Sequence, residues 1–157
     1  MIFWNEQLST GSSALDDQHR MLINNINHLE CMLTDTNPNR EECEFLIHLL
    51  NFLESYAVKH FRQEEDCMAS ARCPVHARNK QQHEDFLAHF RDFKQRFKSQ
   101  GFNPDILRKL HRFMSEWIEA HLSRVDTQLK PCLVAGRNAS PRTPTVAGAA
   151  CNDARSL

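Results

Sequence analysis

Residues 46–67 read LIHLLNFLESYAVKHFRQEEDC, and their spacing decides the fold. Leu46, Leu49, Leu53, Tyr56 and His60 step by 3, 4, 3 and 4, and Glu64 and Cys67 continue the stripe. That period puts them on one face of a helix and excludes a strand, whose faces alternate at every residue. Three other segments carry the same pattern. The first runs Leu15, His19, Leu22, Ile26, Leu29, Leu33; the third Asn79, His83, Phe86, Phe90, Phe93, Phe97; the fourth Leu107, Leu110, Met114, Trp117, His121. Pro38, Pro74 and Pro104 mark the corners between them, because proline is excluded from a helix interior and tolerated in its first turn. Long helices joined by short connections pack as antiparallel neighbours. The sequence therefore predicts an all-α, up-down-up-down four-helix bundle over residues 1–130. Residues 1–14 form an arm, with Phe3 and Trp4 available to pack on the bundle.

Composition narrows the function. The chain has 157 residues, 25% charged and 41% hydrophobic, which suits one domain with its own core. Lys and Arg number 19 against 20 Asp and Glu, a net charge of −1, so no nucleic-acid partner is expected. Gly11 and Gly101 are the only glycines before residue 131 and cannot build a phosphate loop. No apolar run approaches membrane-spanning length, and MIFWNEQ lacks a basic region followed by an apolar one, so a cytoplasmic chain without a membrane partner is expected. Six cysteines without framework spacing are expected as thiols there. From Pro131 the composition turns to Gly, Ala, Ser, Thr and Pro. Three arginines against Asp153 give that stretch +2, and residues 131–157 read as a disordered tail.

The informative residues are those that interrupt the apolar stripes. His19, His60, Glu64, His83 and His121 stand where the helical period calls for a hydrophobe. One such histidine alone is usually a hydrogen-bonded core residue. Five polar residues on four stripes would each carry a desolvation cost, which a shared metal centre offsets together. His60 and Glu64 are one turn apart on one face. Imidazole with carboxylate suits iron, zinc or manganese, and such donors hold two-metal centres inside helical bundles.

The combination Leu15-Asp16-Asp17-Gln18-His19, His60-Phe61-x-x-Glu64-Glu65, His83 and Trp117-x-x-x-His121-x-x-x-x-Asp126 resembles the bacterial hemerythrin family over about residues 1–130. The resemblance implies a non-haem centre of two iron ions, joined by an oxo or hydroxo bridge, that binds O2 reversibly for carriage, storage or sensing. It implies that His19 and His60 ligate the iron open to O2, that His83 and His121 ligate the other, and that Glu64 and Asp126 bridge them. Trp117 and Ile118 fall where the family places apolar residues beside the O2 pocket. Asp126 does not follow from geometry: five residues after His121, it sits about 140° away on a regular helix.

Asn79 breaks the pattern, because the family has a third histidine there for the second iron. Three consequences are open. Asn79, or a water it orients, completes the coordination and O2 binding persists. Alternatively the second iron gains a labile position, which favours di-iron peroxidase or oxidase chemistry with a reducing co-substrate. Finally, the site holds one metal or none and the bundle is degenerate. His76 lies near the same face but seven residues from His83, about 10 Å along a helix, so it reads as an exposed corner residue. Cys67, Cys73 and His76 match no common zinc spacing. His28, His48, His89 and His111 read as surface or boundary residues. A protein partner or reductant is not identified by the sequence.

Overall fold

The computed structural model describes residues 1–33 and 38–138. Four long helices make the bundle: α1 (Ser13–Met32), α2 (Arg40–Ser70), α3 (His76–Gln100) and α4 (Pro104–Arg124). A short helix, α5 (Leu129–Asn138), follows a single 3₁₀ turn at Asp126–Gln128. Among the described residues there is no strand, and no helix is long and apolar enough to cross a membrane.

The helix ends follow from local chemistry. Asn39 opens α2 with a reciprocal cap: its Oδ1 accepts from the Glu42 N–H at 3.0 Å, and Glu42 Oε2 accepts from the Asn39 N–H at 2.7 Å. Asn103 caps α4 and Pro104 occupies its first position, where no amide donor is needed. Gly101, at φ +75°, ends α3 in a conformation that other residues rarely adopt. At the start of α1, buried Asp16 accepts from the Thr10 N–H and hydroxyl, both at 2.8 Å, and from the Ser9 hydroxyl at 2.7 Å. These bonds tie the arm to the bundle.

The stripes are buried largely as the periodicity predicts. Two positions are displaced by one residue: Ala57 and Ile118 take the buried places beside half-buried Tyr56 and Trp117. The arm differs in detail. Extended backbone alternates its side chains, so Ile2 is buried and Trp4 packs on the core while Phe3 faces solvent. Helix α5 runs past the expected boundary at Lys130. Pro131 lies in its first turn, where the missing N–H costs nothing, and Leu129, Cys132 and Leu133 pack against the bundle end. Residues 139–157 of the expected tail lie outside the described residues.

Two apolar clusters result. The larger joins Leu22, Leu53, Phe61, Phe86, Phe90 and Ile118 with their neighbours, and the smaller joins Leu15, Cys67, Met68, Cys73 and Leu129. Along α1 the order is Leu15, His19, Leu22, and along α2 it is Phe61, Glu64, Cys67. The polar residues therefore form a layer sealed between two dry clusters.

Candidate metal centre

Helix α1 supplies His19, α2 supplies His60 and Glu64, α3 supplies His83 and α4 supplies His121, and Asp126 comes from the 3₁₀ turn. None of the six is more than 4% exposed. Asp126 reaches the layer because α4 stops short of it. The Val125 N–H makes a last helical bond to the His121 carbonyl at 2.9 Å, and the chain then tightens at Asp126. That break supplies the rotation a regular helix would not.

The imidazoles meet in pairs. His19 Nε2 lies 3.0 Å from His60 Nε2, and His83 Nε2 lies 3.1 Å from His121 Nε2. Glu64 Oε2 faces three of the rings, at 3.8 Å from His19, 3.3 Å from His60 and 3.9 Å from His83. Asp126 spans the pairs, with Oδ2 at 3.5 Å from His19 Nε2 and Oδ1 at 3.0 Å from His121 Nε2. Among the described residues, His19, His60 and Glu64 form one set of donors able to hold a metal ion. Glu64, His83 and His121 form a second, so Glu64 is common to both.

The far side of three of the rings shows what their near side must be, while His19 Nδ1 is buried without a partner. His83 Nδ1 lies 2.9 Å from Glu65 Oε1, His121 Nδ1 lies 2.9 Å from Gln82 Oε1, and His60 Nδ1 lies 2.8 Å from Gln18 Oε1. Those oxygens accept, so each of these Nδ1 atoms carries a hydrogen, and the neutral His83 and His121 rings present a lone pair at Nε2. Burial keeps His83, His121 and His19 neutral, pushing His83 down to about 3 and His121 and His19 down to about 4. Two lone pairs therefore face each other at 3.1 Å between His83 and His121. They repel unless a cation stands between them. Glu64 Oε2 and both Asp126 oxygens are likewise buried without a hydrogen-bond partner. The donor set fits a pair of cations of the iron or zinc type.

The carboxylates are held apart in charge. Burial drives Glu64 upward, but the polar surroundings it shares with the facing His19 and His60 rings outweigh it and hold it well below the usual range. Asp126 is pushed well above its ordinary value by burial and by the Glu64 charge. Opposed shifts of this kind favour sharing one proton between the two carboxylates, and a cation that holds both as anions competes with that proton.

Asn79 is wholly buried, yet its amide points at Glu64. Its Nδ2 donates to Glu64 Oε1 at 2.9 Å and lies 3.2 Å from Met68 Sδ, while its Oδ1 has no partner. Trp117 stacks on His121 with ring centres 4.2 Å apart. Trp117 and Ile118 also line a wholly apolar cavity of about 20 Å³, shared with Leu22, Phe61 and Met114. Phe61 separates this cavity from the metal layer and stacks on His83 at 3.8 Å. Among the described residues neither His76 nor Cys73 joins a donor set. His28, His48 and His89 are exposed and His111 is half-buried. Periodicity does not single out Gln18, Glu65 and Gln82. Their signal is adjacency, since each sits beside a buried polar residue in the chain and faces a neighbouring helix.

The Hemerythrin HHE cation binding domain matches residues 10–133. A bacteriohemerythrin of Stenotrophomonas maltophilia (strain R551-3) is 28% identical over 122 residues, covering 78% of this chain and 74% of its own length. One from Methylococcus capsulatus is 27% identical over 129 residues, 82% of this chain and 93% of its own. A hemerythrin of Sipunculus nudus is 25% identical over 130 residues, 83% of this chain and 92% of its own. A crystal structure of wild-type hemerythrin superposes with a TM-score of 0.71 at 25% identity, over 85% of this chain and 97% of that one. With the domain matched across the whole bundle and the donor layer in its core, the chain belongs to the hemerythrin family.

Proposed function

We propose that this chain holds two iron ions between its histidine pairs and binds O2 reversibly. The carrying observation is the pair of opposed Nε2 lone pairs of His83 and His121, with Glu64 shared between the two donor sets. His19 and His60 would hold one iron and His83 and His121 the other, with Glu64 and Asp126 placed to serve both. Two ferrous ions supply the electrons that O2 needs in order to bind. The chain supplies the rest. Gln18, Glu65 and Gln82 fix the tautomers of His60, His83 and His121 so that the Nε2 of each is free to ligate. Trp117 and Ile118 maintain a dry apolar space large enough for one small molecule, which suits O2 and excludes the water that would promote side reactions.

Asn79 favours a second reading. It offers Glu64 a hydrogen-bond donor where a third imidazole would ligate, so the His83–His121 iron has a position for an exogenous molecule. That position favours peroxidase- or oxidase-type turnover. Anaerobic loading with ferrous iron, followed by cycles of air and deoxygenation, separates the readings. A visible band that appears in air and vanishes on deoxygenation, with iron content unchanged, is expected. A single irreversible bleach, with hydrogen peroxide consumed when a reducing co-substrate is added, would replace binding by turnover.

A further inference from the structure

On the outer face of the metal layer, α3 and α4 enclose an open cavity of about 320 Å³. Its inner wall is His121 and the Gln82 that holds His121 Nδ1, and its aromatic side is Trp117 and Phe113. Arg78 from α3 and Arg124 from α4 stand at its rim. Both are exposed, and their guanidinium groups make no hydrogen bond or ion pair among the described residues. Arg78 is close enough to His121 for its charge to disfavour a protonated ring. The opposing charge at the rim is Asp85, which already accepts from Gln81 Nε2 at 3.0 Å. Cavities of this size take small molecules. Paired guanidinium groups on facing helices recognise a phosphate or carboxylate, and an aromatic wall recognises a flat ring.

The geometry points to a docking site for a planar aromatic anion of the flavin mononucleotide type, acting as reductant port to the iron pair. The phosphate would lie between Arg78 and Arg124 and the ring against Trp117. Only the His121 imidazole would then separate the flavin from the iron it ligates. One dihydroflavin gives up two electrons, one to each ferric ion of an oxidised centre, releases two protons and leaves as oxidised flavin. The docking rests on the cavity alone, and the electron step rests on the two-iron reading.

The test uses the full iron-loaded chain. Titration with FMN, followed by flavin fluorescence, is expected to saturate, with riboflavin, which lacks the phosphate, binding at least tenfold more weakly. The double variant R78A/R124A should keep its iron content and lose at least tenfold in FMN affinity. It should also be reduced at least tenfold more slowly by anaerobic dihydro-FMN, while reduction by reduced methyl viologen, a cation, is not slowed. No saturable FMN binding, equal binding of FMN and riboflavin, or unchanged affinity in the double variant would overturn the docking site. A reduction rate that falls equally with both donors would overturn the port. Intact FMN binding in a chain with no reversible O2 band would instead count against the O2-binding reading.

Discussion

Replacing Asn79 by histidine should move stability and iron retention in opposite directions. In the metal-free chain the Asn79 amide donates to the Glu64 carboxylate at 2.9 Å, a charge-assisted bond worth about 1.5–3 kcal/mol. The wholly buried site is closed by Met68, whose sulfur lies 3.2 Å from the same nitrogen, so a larger ring overpacks it at a cost of about 1–3 kcal/mol. Taking about 3 kcal/mol for the two together, a domain of this size should melt about 6–12 °C lower without metal. With iron the added imidazole supplies a third nitrogen beside His83 and His121. Iron loss to a chelator should then slow by at least about tenfold, the scale on which even indirect partners of a ligand act. Autoxidation of the O2 adduct should slow as well. Thermal melts with and without iron, together with chelator-competition rates, read both effects on the same samples. A variant that loses iron as fast as the parent would refute the view that residue 79 stands at an unfilled ligand position.

Glu64→Ala removes the carboxylate common to both donor sets and should abolish two-metal occupancy; a magnetically coupled iron pair surviving in that variant would sink the bridging role. For the metal-free chain, His19, His83 and His121 fall from an ordinary 6.5 to about 4, 3 and 4. The folded state therefore binds fewer protons than the unfolded one below pH 6.5, and stability must fall as pH drops from there through the folded values. Each ring contributes on the order of 3 kcal/mol at full effect, so denaturant midpoints that stay flat between about pH 7 and 5 would contradict burial as neutral rings. Ile118→Phe fills the 20 Å³ apolar cavity and should slow O2 association severalfold while leaving iron content unchanged. Unaltered stopped-flow association would place the O2 route elsewhere.

Much of this molecule is legible in sequence because helical burial leaves a period. His19, His60, Glu64, His83 and His121 reveal themselves by standing on apolar stripes, and the structure draws them into one layer. Asp126 is invisible to that logic. Its inward turn depends on α4 ending at Arg124, and nothing in Ser123-Arg124-Val125-Asp126 announces the break; only the family resemblance supplies it. The tautomer-fixing residues Gln18, Glu65 and Gln82 sit about 100° off the buried face, where polar side chains are ordinary. Only the approach of a second helix gives them a role. Composition turns at Pro131 while α5 continues to Asn138, because Leu129, Cys132 and Leu133 find a place against the bundle end that composition does not register.

The most direct measurement is an anaerobic titration of the metal-free chain with ferrous iron, counting iron bound per chain at saturation. Two ions per chain are expected, one for each histidine pair across the shared Glu64. One ion, or none, would contradict the two-iron centre.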